Sequence, residues 1–472
     1  MKTKTTYLSI FKLIMITSAF VLSIRNMPML AETGMQMFFY IIVAAIIYLI
    51  PVGLVSAELA TGWPKAGGVY VWIKEAFGEK WAFFSMWMLW VQMFFGMVMI
   101  TSFIAAMWAY VFYPPWANNE TFIFIMILVM YWGVTFLNLK GLKAASLIST
   151  IGVIFGVFVP AALIIVLGGI YIIQGNPLNM DFAFTAKNIF PDFTNVGNLT
   201  FFVSVVFIFA GLEVSSVHAN EVKDPQKNYP KAMFMGIFLL ILLNVLGSLI
   251  VGIVVPKNEI SLVAGIMQTF TVFLTKFDMT WLIPIIALFA AIGATGQIST
   301  WVLGPSKGIL GVAKNGDLPP WWQKENKYGV PTHIIFTQAT AISLVALLYL
   351  IVPSINSVFF MILILTTLLY AIMYIFMFAA GIKLRYSQPD VPRAYKIPGK
   401  RNIGMWILAC FGLISMAFVV VISFFPPELV SSKGNSSFYV WFMAIGLAFF
   451  VIIPLLVFKF KKPEWKKKIK KI

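Results

Sequence analysis

Twelve apolar runs, each near or above the ~17–25 residues that a helix needs to cross a bilayer, constrain this chain more than any other feature. They cover about 8–33, 37–60, 80–113, 121–138, 147–174, 198–220, 230–255, 281–304, 334–352, 355–382, 404–425 and 438–458. Charged residues make up 11% of the chain, against about 25% in soluble domains. Water offers no way to hide so much apolar surface, whereas lipid serves as solvent for the outer faces of helices whose backbone bonds are all internal. The expected fold is therefore an all-α integral membrane protein of twelve spans. The first run carries no convincing small-residue cleavage site and reads as a retained span, not a signal peptide.

The formal net charge of +17 suggests a nucleic-acid partner until its placement is considered. With the N-terminus inside, 29 of the 34 Lys and Arg fall on one side of the spans. That asymmetry is the positive-inside pattern. It predicts an even span count, both termini cytoplasmic, a multi-pass protein of the inner (plasma) membrane, and no nucleic-acid binding. The basic tail 459–472 reads as an anchor on an anionic leaflet.

Chemistry on the chain is sparse. Cys410 is the only cysteine, and His218 and His333 are the only histidines. Neither a cysteine- nor a histidine-based metal centre is expected, and no cofactor. No HExxH, Ser–His or paired-Asp arrangement stands out, so no catalytic residues are assigned and an enzyme is not expected. A channel would want rings of charge or carbonyls, usually from several subunits.

What does stand out is the interruption of two spans. Span 1 contains Ser23-Ile24-Arg25-Asn26-Met27-Pro28. A charge there costs roughly 2.5–3.5 kcal/mol on the lenient insertion scale, and Pro28 removes a helix hydrogen bond. Span 6 contains Phe209-Ala210-Gly211-Leu212-Glu213, followed by Ser215, Ser216 and His218. The two spans are five apart and so run in opposite directions. Paired broken helices at matching positions of two halves are the sequence pointer to an inverted-repeat transporter. The alternative is that Gly and Pro are simply tolerated in membrane helices.

The stretch Ala57-Glu58-Leu59-Ala60-Thr61-Gly62-Trp63-Pro64-Lys65-Ala66-Gly67-Gly68-Val69-Tyr70-Val71-Trp72 resembles the signature of the amino acid–polyamine–organocation superfamily. Gly304-Pro305-Ser306-Lys307-Gly308, Ala313 to Pro319, and Gly329-Val330-Pro331 resemble its loop after span 8. Within the superfamily, Phe190-Pro191-Asp192-Phe193, Gly211-Leu212-Glu213 to Glu221, Tyr229 to Met233 and Ala264 to Val272 are most similar to the glutamate/γ-aminobutyrate antiporters. The resemblance covers about residues 8–458.

It implies a LeuT-like 5+5 inverted repeat: 8–174 as the first half, 198–382 as the second, and 404–458 as two peripheral helices. It also implies alternating access around a mid-membrane site between spans 1, 3, 6, 8 and 10. Glutamate exchanged for γ-aminobutyrate is the first expectation; a proton-coupled permease for other amino acids, or a non-transporting sensor, are the alternatives. The expected partners are amino acids, lipid and possible protons, with the protein a monomer or weak homodimer.

Glu213 is the leading site candidate, as contact for a substrate amine, proton carrier or gate lock; its structural alternative is a helix cap. Ser23, Arg25 and Asn26 stand at the span 1 break, with Ala210 and Gly211 at the span 6 break. Arg25 is a candidate partner for an acidic substrate, or else for Glu213 in an internal ion pair. The family's glutamate antiporters carry a different tripeptide before the span 1 proline. Phe207 and Trp301 match aromatic gate positions of the superfamily. Gln297 lies one turn before Trp301, where the antiporters have an acidic residue. Tyr370 and Tyr374 share a face of span 10, lining the path or packing. His218 joins Glu213 as a proton-coupling candidate. The family's C-terminal plug is not carried over, because only about 14 residues follow span 12.

Overall fold

A computed structural model describes residues 23–65, 67–140, 156, 158–215, 224–431, 434 and 436–466. Among these, all regular structure is helical. After a 3-10 turn at Ile24–Asn26 comes α1 (Met27–Ala31). There follow α2 (Gln36–Gly62), α3 (Val69–Phe77), α4 (Glu79–Phe112), α5 (Glu120–Asn138) and α6 (Val159–Ile173). The second half holds α7 (Phe201–Phe209), α8 (Leu212–Ser215), α9 (Pro225–Val254), α10 (Gly265–Lys276) and α11 (Ile283–Lys314). It ends with α12 (Thr332–Ile351), α13 (Ile355–Ser387), α14 (Ile403–Ile422) and α15 (Ser436–Lys459).

Nine helices among the described residues are long and apolar enough to cross a membrane, against the twelve expected. They match expected spans 2, 3, 4 and 7 to 12. The other three are the interrupted spans 1 and 6, and span 5, of which only α6 is a continuous described helix. Residues 8–22, most of 147–157 and 216–220 lie outside the described residues.

Of these nine helices, α4 and α13 are the most buried, with 83% and 89% of their apolar windows inside the protein. Around α4 a polar knot gathers four helices. Gln338 of α12 accepts from Trp90 Nε1 of α4 at 3.2 Å and from Ser306 Oγ of α11 at 3.0 Å. Its Nε2 donates to the Tyr131 hydroxyl of α5 at 2.7 Å. In an apolar interior such an amide is costly unless satisfied, and here it fixes spans 3, 4, 8 and 9 as one block. At the other extreme, α15 is only 11% buried. Trp441, Ile445, Phe449, Ile452 and Leu456 form an exposed apolar stripe along it at helical spacing, which suits contact with lipid.

α1 is wedged between α9 and α10. Met27 lies where a Cβ on Gly247 would sit, and Pro28 where one on Gly265 would sit. Small residues at such crossings let helices approach closely.

The ends of α2, α11, α13 and α15 share one face, here termed the basic face. A buried ion cluster ties it together. Arg385 of α13 places Nε and a terminal nitrogen each 2.5 Å from the two oxygens of Glu58 on α2. Ile397 N donates to the same carboxylate at 2.7 Å, and Arg393 stands 3.4 Å away. The pair is bidentate and straps the segment after α13 across the end of α2.

The first residues beyond α15 depart from the expected leaflet anchor. Lys461 Nζ lies 2.5 Å from Oδ1 of the fully buried Asp317. Trp465 O accepts from Gln323 Nε2 at 2.8 Å. The segment packs on protein because a buried carboxylate there needs a counter-charge; residues 467–472 lie outside the described residues.

Candidate functional site

The span 6 break is explicit in the backbone. α7 ends at Phe209, Ala210 is extended (φ −66°, ψ 144°), Gly211 has φ +98°, and α8 resumes at Leu212. Such a φ strains any residue with a Cβ. A Cβ on Gly211 would also stand 3.4 Å from the Trp301 ring, so the indole of α11 lies directly over the break. At span 1, Ser23 is extended (φ −150°, ψ 129°) before the turn at Ile24–Asn26. What precedes Ser23 lies outside the described residues.

A narrow cavity of about 60 Å³ lies between these breaks. Seven of the sequence-selected residues line it: Arg25, Asn26, Phe207, Ala210, Gln297, Trp301 and Tyr370. Arg25 donates to Gln297 Oε1 at 3.5 Å, the limit of a hydrogen bond. Its Nε is buried without a partner. No carboxylate among the described residues pairs with it, so the internal Arg25–Glu213 ion pair is not formed.

Glu213 is instead held by two tyrosines. Tyr370 donates to Oε1 at 2.7 Å and Tyr374 to Oε2 at 2.5 Å. Tyr374 also accepts from Gly211 N at 3.2 Å. Its ring stacks on Tyr370 and meets Tyr48 edge-on, with centroids 5.0 and 5.5 Å apart. Tyr48 sits in a π-helical turn of α2 at Ala45–Leu49, a feature often found at functional sites. Thus Tyr370 faces the cavity while Tyr374 braces the break from behind. Ser23 is buried but is not among the cavity-lining residues, and His218 lies outside the described residues.

The sequence reading named no residue from span 3. Gln92, Gly96 and Ile100 of α4 form one wall at i, i+4 and i+8, with Met93 and Met97 beside them. A lone amide one turn from a glycine, inside an otherwise apolar helix, was the available signal.

Among the described residues a wide space adjoins the cavity. A vestibule of about 990 Å³ reaches inward among α3, α4 and α11 on the basic face, and Trp301 and Tyr370 border both spaces. Glu213 stands at its inner end. The depression on the opposite face, lined by Gln36, Asp181, Lys187 and Lys257, shares no residue with the cavity. Among the described residues, the space that adjoins the site opens on the basic face.

The model of a family described as amino acid permease matches residues 8–450. An uncharacterized transporter of Legionella pneumophila is 38% identical over 452 residues, covering 96% of each chain. A glutamate/gamma-aminobutyrate antiporter of Lactococcus lactis is 32% identical over 459 residues, covering 96% of this chain and 90% of its own. A probable agmatine/putrescine antiporter of the same species is 24% identical, covering 91% and 90%.

Proposed function

The chain belongs to the amino acid permease family, and on that premise we propose that it is a secondary antiporter exchanging amino acids that include an acidic member, with glutamate and γ-aminobutyrate as the first pair. The observation that carries this reading is Arg25: a guanidinium beside a small cavity at the span 1 break, with a buried Nε and no carboxylate partner among the described residues. An arginine without a counter-charge in a largely apolar site is costly. An acidic substrate would supply the missing charge, and Arg presents a planar fork that matches a carboxylate.

In this mechanism the substrate backbone groups meet the breaks at Asn26 and Ala210–Gly211. The side-chain carboxylate turns to Arg25 and Gln297. Phe207 and Trp301 cover it, and stacking of Trp301 over the substrate shields charge from water. The cavity of about 60 Å³ is well below the ~300–1,000 Å³ of typical ligand sites, so binding must part its walls. Spans 3, 4, 8 and 9, joined at Gln338, are the proposed scaffold. The bundle containing the two breaks rocks against it about the fixed site, as in other inverted-repeat carriers. The basic face is the proposed cytoplasmic side, in keeping with the positive-inside pattern.

Glu213 is the proposed lock. While both tyrosines hold it, α8 stays joined to α13; releasing it, on protonation or on substrate arrival, would free the break.

Counterflow in proteoliposomes tests the reading. Vesicles loaded with unlabelled glutamate should accumulate labelled glutamate and γ-aminobutyrate with saturation and trans-stimulation. Ohmic current without saturation, or binding without flux, would overturn it.

A further inference from the structure

The vestibule contains a feature that the cavity does not explain. Its described lining includes four lysines (Lys65, Lys74, Lys307 and Lys314) but only two carboxylates, Glu75 and Glu213. Three of the lysines are already engaged: Lys65 with Glu75 at 3.3 Å, Lys74 with Glu79 at 3.0 Å, and Lys314 with Glu325 at 2.5 Å. Lys307 has no carboxylate partner among the described residues and is exposed to the vestibule.

The wall on which Lys307 stands is kept open. Gly304, Gly308, Gly311 and Asn315 line the vestibule at i, i+4, i+7 and i+11 of α11 and just beyond it, one helical stripe. A Cβ on Gly304 or Gly311 would meet no atom within 4 Å, so these glycines leave free volume in front of the lysine. The vestibule, at about 990 Å³, falls in the size range of small-molecule sites. It ends on Trp301, Tyr370 and Glu213, the partition next to the Arg25 cavity.

We propose that the vestibule is a second recognition site, for carboxylate-bearing solutes, with Lys307 as its cation. A solute leaving Arg25 through the Trp301–Tyr370 partition meets Lys307 before open solvent, and one entering from the basic face meets it first. A cleft of one sign with low-dielectric walls concentrates counter-ions. Two cations in series, Arg25 and then Lys307, neither with a carboxylate partner among the described residues, favour anions over neutral amino acids along this path. The depression on the opposite face carries Asp181 and Asp192 beside Lys187 and Lys257 and shares no described residue with the cavity, so the cation in line with Arg25 belongs to the basic face. This inference rests on the antiport reading above.

The test compares half-saturating concentrations from each face, using intact cells and everted vesicles containing the wild type, Lys307→Gln or Lys307→Arg. For glutamate entering from the basic face, Lys307→Gln should raise the value about fivefold, the factor one unit charge supplies at contact in water. Glutamate from the opposite face, and a neutral amino acid from either, should hold their wild-type values. Lys307→Arg should restore the glutamate value. Salt raised from about 0.01 to 0.15 M, shrinking the screening length from about 30 to 8 Å, should reduce the wild-type advantage on the basic face. An equal change for both faces, or for both substrates, would overturn the proposal while leaving antiport intact. Absence of exchange in the wild type would overturn both, and shows before any variant is compared.

Discussion

The Tyr374 hydroxyl lies 2.5 Å from Oε2 of Glu213 and 3.2 Å from the Gly211 amide. One side chain of α13 therefore holds a carboxylate and a backbone group at the same helix break. Tyr370, one turn earlier, binds the other oxygen of that carboxylate at 2.7 Å. A break held at three points can be released as a unit.

Glu213→Gln removes the charge and keeps the shape. If Glu213 carries a proton during exchange, the pH profile of counterflow should flatten in this variant while protein level in the membrane is unchanged. A profile identical to that of the wild type would leave Glu213 a purely structural brace. Tyr374→Phe should lower the melting temperature of the substrate-free protein, since a hydrogen bond to a charged group contributes about 1.5–3 kcal/mol.

Gly211→Ala should abolish exchange. The φ of +98° strains any residue with a Cβ, whereas the Trp301 ring, 3.4 Å from where a Cβ would sit, would be in ordinary contact with it. Gly133→Ala is the matched control, because nothing lies within 4 Å of that position; it should transport as the wild type does. Transport by Gly211→Ala at the wild-type rate would show that the break does not require a glycine.

The Glu58–Arg385 pair predicts a stability effect separate from substrate choice. Glu58 is 1% and Arg385 3% exposed at the side chain. Removing one partner leaves a buried charge, at a cost of about 3–5 kcal/mol. Glu58→Gln should lower the melting temperature in detergent by several degrees, with the ratio of acidic to neutral substrate unchanged in whatever protein remains folded. A shifted ratio would tie this clamp to the binding site.

Lys461 predicts what will not switch with pH. Burial lowers its pKa, but the hydrogen bond to Asp317, with Glu79 nearby, raises it above the ordinary lysine value, and the rise prevails. A group with a raised folded pKa stabilises fully below its unfolded value, and that stability is lost only as pH rises through the folded value. With its pKa raised, Lys461 should therefore stay charged in this contact across neutral pH. Lys461→Ala should increase hydrogen exchange in residues 315–323 at pH 7, and the wild type should show the same protection at pH 6 and pH 8. A loss of protection between those two values would place a titrating switch in this contact.

Much of this arrangement is legible in the sequence, for identifiable reasons. Arg25 and Glu213 stand out because charge inside an apolar run is expensive, and Gly211 marks its break because few other residues allow a positive φ. Trp301 and Phe207 needed the family resemblance, since aromatics are common along this chain. Gln92 and Gly96 escaped notice because an uncharged amide in a long apolar helix gives little signal. The docking of Lys461 on Asp317 was not foreseen either: the two residues are 144 positions apart, and a lysine-rich tail reads locally as a leaflet anchor. Nine of the twelve expected spans are seen as long apolar helices among the described residues; the others coincide with the breaks or with residues outside the description.

The most direct measurement is counterflow into proteoliposomes containing the wild type or Arg25→Gln, with glutamate, γ-aminobutyrate and a neutral α-amino acid, at two pH values. The wild type should exchange glutamate with saturation and trans-stimulation, and Arg25→Gln should lose glutamate by at least about tenfold more than the neutral amino acid, the size of a charge-assisted contact. Equal loss of all three substrates, or glutamate exchange untouched by the substitution, would contradict the proposed role of Arg25.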